Sequence, residues 1–185
     1  MKKLSSFCAI FLFLISVFSC KRDCDYSDEN CTDEELSWIS YNGGEALIFK
    51  NNFGNIDSTV VSQRVSTMEK GGHEYEDPCT YLYQKIYLEI PLKHDLLKMS
   101  VSHYNAEFYY NANSAGIYNN STTFYFSNYS PVQTFDLNGK IYNDVFIMAD
   151  TTIISTNSLF RIYYTKLDGI IGYDYNGGEQ WVRIN

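Results

Sequence analysis

Apolar and polar residues alternate with a period of two along much of this chain, and no other feature constrains its fold as strongly. Between Lys85 and Leu92 every second residue is aliphatic, while Lys85, Tyr87 and Glu89 lie between the aliphatic residues. Successive side chains of a strand point to opposite faces, so this pattern predicts a strand with one buried face. Pro91 has no N–H to donate, which places this strand at a sheet edge or ends it in a bulge. Because similar alternation follows at 104–108, 124–126 and 160–164, we expect an all-β chain.

Short polar turns separate these segments. Asn-Gly occurs at 42–43, 138–139 and 176–177, and Asp-Gly occurs at 168–169. Such pairs supply the positive φ angles of tight hairpin turns. The string YNGGE occurs twice, and neither copy is followed by a helix that would cradle a phosphate. We interpret each copy as a turn in which the tyrosine ends one strand and the glutamate opens the next. The prediction is an antiparallel meander of hairpins, forming a β-sandwich or a curled half-barrel over 36–185.

The N-terminus has the features of a secretory signal. Lys2 and Lys3 precede a largely apolar run from Phe7 to Phe18, which is too short to cross about 30 Å of hydrocarbon as a helix. The next residues, Val17-Phe18-Ser19-Cys20, resemble a bacterial lipobox. The resemblance implies transfer of diacylglycerol to the Cys20 sulfur and removal of 1–19 as a lipoprotein signal peptide.

Residues 20–35 contain almost no apolar side chains and read as a lipidated acidic tether. Removal of the signal would leave 166 residues and, because two lysines go with it, change the formal charge from −8 to −10. A chain this acidic repels phosphate backbones, so we expect no nucleic-acid partner and a membrane attachment that depends on the lipid anchor. Acidic residues close behind the lipidated cysteine resemble the surface-export signal of Bacteroidetes lipoproteins. The expected location is the outer membrane of the cell envelope, on its periplasmic side or at the cell surface.

Three cysteines remain once Cys8 has left with the signal and Cys20 carries the lipid. An exported chain lies in a compartment that permits disulfides. We predict a bridge between Cys31 and Cys79, because both lie at the entrances to predicted strands and the bridge would pin the tether to the domain. A bridge from Cys24 to Cys31 is the local alternative.

The sequence offers no chemistry for a metal, a cofactor or a catalyst. His73, His94 and His103 are scattered, and no close Cys-x-x-Cys pair accompanies them. The chain also lacks a G-x-S-x-G elbow and an H-E-x-x-H motif. We therefore expect no metal, no cofactor, no catalytic residue and no enzymatic activity.

The last third of the chain resembles the C-terminal region of envelope lipoproteins from Bacteroidetes, especially flavobacteria. The residues that carry this resemblance are Gly139–Val145 (GKIYNDV), Ile162–Lys166 (IYYTK), Gly169–Tyr173 (GIIGY) and Gln180–Val182 (QWV). In that family a hairpin precedes a Y-Y-x-K strand, a glycine turn and a final strand that bears a tryptophan. The resemblance implies a β-rich envelope lipoprotein and transfers no activity.

Two functions are compatible with these features. The first is a non-enzymatic interaction or structural module that contacts a protein or glycan partner through its loops. The candidate binding residues lie in the 111–121 loop and are Asn111, Asn113, Tyr118, Asn119 and Asn120. The second is a carrier that holds an apolar ligand in a barrel-like cavity, which aromatic residues on both faces of 104–110 favour.

Two short motifs suggest a modification. Asp57-Ser58-Thr59 and Asp150-Thr151-Thr152 resemble the O-glycosylation site of Bacteroidetes envelope proteins. The predicted acceptor hydroxyls are those of Ser58 and Thr151.

Overall fold

The computed structural model describes residues 29–71, 81–103, 105–112, 120–151 and 157–185. Within these residues the chain is almost entirely β, which confirms the predicted class. The helical elements are α1 (Asp33–Leu36) and a 3-10 helix (Phe126–Asn128). The strands are β1 (Ala46–Asn51), β2 (Ile56–Val60), β3 (Val65–Gly71), β4 (Tyr81–Pro91), β5 (Leu96–Ser102), β6 (Ala106–Ala112), β7 (Asn120–Tyr125), β8 (Val132–Leu137), β9 (Lys140–Ala149), β10 (Leu159–Thr165), β11 (Gly169–Tyr175) and β12 (Gln180–Arg183).

The strands form two antiparallel sheets. One has seven strands in the order β2-β1-β12-β11-β10-β9-β8, and the other has five in the order β3-β4-β5-β6-β7. The five-stranded sheet is a simple meander. In the larger sheet, β8 to β12 form a meander and the β1–β2 hairpin adds to its last strand. The sheets do not close into a barrel, and residues of both sheets share one core, which is consistent with the β-sandwich of the two predicted architectures.

Strand β4 shows how the period of two builds this fold. Leu88 and Ile90 are completely buried between the sheets, as the alternation predicts. The predicted edge position is wrong, because β4 lies between β3 and β5. Pro91 is the last residue of β4, and β3 pairs with β4 only as far as Tyr87. No neighbouring strand therefore needs the N–H that Pro91 lacks.

Aromatic rings join the two sheets in the core. Phe108 from the smaller sheet lies 5.3 Å, centroid to centroid, from Tyr164 of the larger sheet. The ring of Phe126 lies 5.0 Å from both of these rings. All three side chains are buried, and burial of each contributes about 1.5–3 kcal/mol to folding.

A second apolar cluster lies on the outer face of the seven-stranded sheet, which the alternation alone would leave polar. Asp144 has a φ angle of 53° and bends β9. Residues between Lys140 and Val145 pair with β8, and residues from Phe146 to Ala149 pair with β10. The β8–β9 hairpin folds over the sheet and buries Leu137 and Val145 against residues such as Tyr163. A Cβ at Gly172 would lie 2.9 Å from Leu137 Cδ2, so glycine permits this close approach.

The described end of the predicted tether, residues 29–35, has regular backbone hydrogen bonds. The N–H of Glu29 donates to Leu82 O over 3.1 Å, and the N–H of Gln84 donates to Glu29 O over 2.8 Å. Helix α1 follows, with a capping box between Thr32 and Glu35. The described end of the acidic tether is therefore attached to β4.

The two YNGGE copies differ in their context. Tyr175 ends β11 and β12 begins at Gln180, as predicted for the second copy. The prediction that Tyr41 also ends a strand is wrong, because the described residues before it, 29–40, contain α1 and no strand. The Glu45 carboxylate closes the first turn by accepting from the N–H groups of Asn42 and Gly43 over 2.6 and 2.7 Å. Local hydrogen bonds therefore form this turn without a preceding strand.

Candidate functional site

Several predicted site residues lie outside the described residues. They are the lipidation residue Cys20, the disulfide partner Cys79, and Asn113, Tyr118 and Asn119 of the binding loop. The predictions for them stay predictions.

Cys31 lies at the surface of β4 and is half-buried. Its Sγ lies 3.4 Å from Gln84 O and 3.8 Å from Val101 O, and it forms no disulfide within the described residues. Burial, with the nearby Glu35 carboxylate, raises the pKa of this thiol. Since Cys79 is not among the described residues, the disulfide between them stays a prediction.

The predicted binding loop connects β6 to β7. Asn111 pairs with Ser121 and Ala112 with Asn120 where these strands meet the loop. Asn111 also pairs with Leu96, the first residue of β5. The described ends of the loop therefore lie at the end of the five-stranded sheet where β4 turns into β5.

Three other turns meet near this end of the sandwich, and we call them the turn platform. They are 52–55 between β1 and β2, 92–95 between β4 and β5, and 176–179 between β11 and β12. The Asn51 Nδ2 donates to Glu179 Oε1 over 2.7 Å, and the Asn52 Nδ2 donates to Gly178 O over 3.1 Å. Side-chain amides thus join the first and third turns.

His94 attaches the second turn, 92–95, to the third turn, 176–179, and to the end of β11. Its backbone N–H donates to the Tyr175 hydroxyl over 2.9 Å, and its ring packs edge-on against the Tyr175 ring at 4.9 Å. The His94 Nε2 also lies 3.7 Å from Glu179 Oε2. Because Tyr175 and Glu179 belong to the second YNGGE, this motif links all three turns.

Phe53 is the most exposed aromatic side chain of the platform, with 72% of its surface accessible. Its backbone is fixed all the same. The buried Asn51 side chain accepts from the N–H of Phe53 over 3.1 Å and from the N–H of Asn55 over 2.7 Å. An exposed ring on a fixed turn can contact a partner with little loss of backbone entropy on binding.

Buried polar groups lie beneath the platform. Burial raises the pKa of Asp95 to about 6, although the neighbouring His94 and the backbone of Leu159 oppose this change. Within the described part of the chain, Asp95 Oδ2 and Trp181 Nε1 are buried without a hydrogen-bond partner. Perturbed carboxyls occur both at functional sites and in structural clusters, so this feature by itself assigns no chemistry.

A groove lies at the opposite end of β5, and we call it the Trp38 groove. It has a volume of about 260 Å³, with Trp38 and Phe126 in its apolar wall and Glu35, His103, Asn105 and Ser127 among its polar residues. The His103 Nδ1 lies 3.1 Å from Glu35 Oε1. The Lys166 ammonium lies 3.8 Å from the Trp38 ring centroid and occupies one face of that ring.

Sequence reasoning did not identify Phe53, His94 or Trp38 as site residues. Residues 51–55 read Asn-Asn-Phe-Gly-Asn, a turn signal with an aromatic residue at its centre, and this pattern could have indicated Phe53. No comparable local pattern surrounds Trp38. Its groove forms from α1, the β5–β6 turn and the 3-10 helix, which are distant in sequence.

The predicted modification sites are exposed. Ser58 lies in the middle of β2, and Thr151 follows the end of β9. The carboxylate of Asp150, next to Thr151, accepts from Thr122 Oγ1 over 2.5 Å. Exposure makes both hydroxyls accessible, and glycosylation of either stays a prediction.

Neither a metal site nor a helical membrane span is apparent in the described ranges. No group of three or more His, Cys, Asp or Glu residues is placed there to hold a metal ion. No helix there is long and apolar enough to cross a bilayer. A scan of protein-family models, a search of curated proteins and a search of solved structures each found no match to this chain.

Proposed function

We propose that this chain is a lipid-anchored, non-enzymatic interaction module of the cell envelope. It contacts a protein or glycan partner through the turn platform and the adjacent 111–121 loop. The observation that carries this proposal is the Phe53 ring, exposed on a turn that hydrogen bonds tie to a second turn. Aromatic residues on a fixed backbone are frequent anchors of binding surfaces.

The position of the tether supports this surface. Glu29, the first described residue, bridges to Tyr83 of β4. Lys85 of β4 pairs with Ser102 at the Trp38-groove end of β5. The seven residues of β5 span about 20 Å. The described end of the tether therefore joins the sandwich at the end away from the platform and does not itself cover it.

The filled interior supports an interaction module rather than a carrier. Large side chains from both sheets, including Phe108 and Tyr164, occupy the space between the sheets. The Trp38 groove, at about 260 Å³, is below the usual range of roughly 300–1,000 Å³ for small-molecule sites, and its lining is partly polar. A lipid tail would need more apolar space than this groove provides.

Crosslinking in the native host tests the platform. Phe53→Ala is compared with Leu167→Ala, which removes an 88% exposed apolar side chain from the β10–β11 turn instead. We expect Phe53→Ala to reduce the amount of partner recovered about tenfold, and Leu167→Ala to leave that amount unchanged. The partner recovered is either a crosslinked protein or a retained surface polysaccharide. Equal recovery from both variants would refute the platform as the contact site.

A second pair of variants separates the platform from the groove. Ser127→Tyr fills the Trp38 groove, and Ser130→Tyr adds the same side chain at an exposed position that does not line it. We expect neither change to alter partner recovery. If Ser127→Tyr alone abolishes it, the groove replaces the platform as the binding site.

A further inference from the structure

Strand β2 forms one edge of the seven-stranded sheet, and no strand among the described residues pairs with its outer backbone groups. The β1–β2 ladder is hydrogen-bonded at its two ends, from Asn51 N to Asn55 O and from Val61 N to Glu45 O. Bonded and non-bonded pairs alternate in an antiparallel ladder, so every second residue of β2 turns its N–H and C=O away from β1. These residues are Ile56, Ser58 and Val60.

The side chains of this edge are unusually apolar for an exposed strand. Ile56 is 64% exposed and Val60 is 56% exposed. Ser58 lies between them and is also exposed, and Ile184 on the same face is 53% exposed. Edge strands are usually protected by lysine, proline, a bulge or an inward-pointing charge. Strand β2 has no lysine, proline or bulge, and its charged residue is the half-buried Asp57 on the opposite face from Ile56 and Val60.

We propose that β2 pairs antiparallel with β2 of a second copy of this chain, about a two-fold axis through Ser58. In this register Ile56 faces Val60 of the second copy and Asp57 faces Thr59 of the second copy. The two Ser58 residues face each other. All three residues with outward backbone groups then exchange hydrogen bonds across the interface.

The chemistry of the strand favours this register. Each Ile56–Val60 pair buries apolar surface, and symmetry provides it twice. Each Asp57 carboxylate faces the Thr59 hydroxyl, which can donate a hydrogen bond to it. A shift that brings Ile56 opposite Ser58 would put two Asp57 carboxylates directly opposite, which is unfavourable. The proposed register avoids that repulsion.

The pairing has consequences for the anchored protein. A two-fold axis perpendicular to β2 places the two turn platforms at opposite ends of one continuous sheet. Two copies anchored in one membrane would therefore lie with their strands along the bilayer surface. The pairing also requires an unmodified Ser58, so it is an alternative to the predicted glycan at that residue.

Thiol crosslinking on intact cells tests the register. The Ser58→Cys variant of the full chain is treated with a short bifunctional maleimide. The controls are the same variant without the reagent, the wild type with the reagent, and Ser66→Cys with the reagent. Ser66 is the matched control, because it is an exposed serine on β3, the edge strand of the other sheet. We expect a homodimer band from Ser58→Cys at about ten times the level of each of the three controls. A band no stronger than the controls would overturn the proposal.

The mass of the detergent-solubilised full chain is the second measurement. We expect wild-type protein to sediment as a dimer, and Val60→Lys to weaken self-association about tenfold because each apolar pair is lost twice. Met68→Lys, at a 45% exposed apolar residue of β3, should not affect it. Thermal unfolding establishes that both variants are folded. A monomeric wild type, a dimer that Val60→Lys does not weaken, or a glycan on Ser58 would each contradict the pairing.

Discussion

The hydroxyl of Tyr41 accepts a hydrogen bond from the backbone N–H of Ile170 over 2.6 Å, across 129 positions of sequence. Both residues are buried. Burial raises the pKa of Tyr41 to about 12, so the phenol remains neutral at physiological pH. Gly169, next to Ile170, lies against the same ring. The first YNGGE is thereby attached to the β10–β11 turn at the other end of the chain.

Replacing Tyr41 with phenylalanine removes this acceptor and leaves the buried N–H of Ile170 unpaired. We expect Tyr41→Phe to lower the free energy of unfolding by about 1–3 kcal/mol in urea titrations. Tyr87→Phe is the control, since Tyr87 is only half-buried, and should change it by no more than about 0.5 kcal/mol. Equal effects of the two changes would show that the Tyr41 hydroxyl does not stabilise the fold.

Gly169 and Gly139 provide a matched pair for testing the close contact with Tyr41. Both have a positive φ, 76° and 82° respectively. A Cβ at Gly169 would overlap the hydroxyl and ring of Tyr41, whereas a Cβ at Gly139 would meet nothing within 4 Å. We expect Gly139→Ala to cost about 1 kcal/mol of stability from backbone strain, and Gly169→Ala to cost about 2–4 kcal/mol. Similar melting temperatures for the two variants would contradict this packing.

Asp95 should make stability depend on pH in a direction that is unusual for a carboxyl. Its folded pKa of about 6 exceeds the value of about 3.9 in an unfolded chain. The folded state therefore holds the proton more tightly, and this stabilisation is full below about pH 4 and is lost as the pH rises through about 6.

The variant Asp95→Asn stays neutral at every pH and so removes this dependence. We expect it to raise the free energy of unfolding at pH 7 by about 1–3 kcal/mol and to change it little at pH 4. Urea titrations of both proteins at several pH values measure the difference. If the two proteins differ in free energy of unfolding by the same amount at pH 4 and at pH 7, titration of Asp95 is not the cause of that difference.

The lipid anchor is tested by metabolic labelling with a fatty-acid probe. We expect wild-type protein to take up the probe and Cys20→Ala to lose the signal, because the lipobox cysteine is the acceptor that the sequence indicates. Cys24→Ala is the matched control and should retain the label. Labelling of Cys20→Ala at the wild-type level would exclude a lipid on this residue.

Local chemistry determined much of the fold. The alternation from Lys85 to Leu92 predicted a strand with one buried face, and β4 has that form. The Asn138-Gly139 pair predicted a turn with positive φ angles, and both residues have them. These features could be read from the sequence because side-chain direction and φ preference depend on neighbouring residues.

Tertiary structure decided what these strands do together. Pro91 suggested an edge strand or a bulge, yet β4 is internal, and the proline is tolerated there because β3 does not extend as far as Pro91. The bend at Asp144 lays the β8–β9 hairpin over a sheet face that a period of two would leave in water. The turn platform depends on Asn51 and Glu179 meeting from opposite ends of the domain. Periodicity specifies which residues share a face, but the packing of one sheet against another specifies which faces and turns meet.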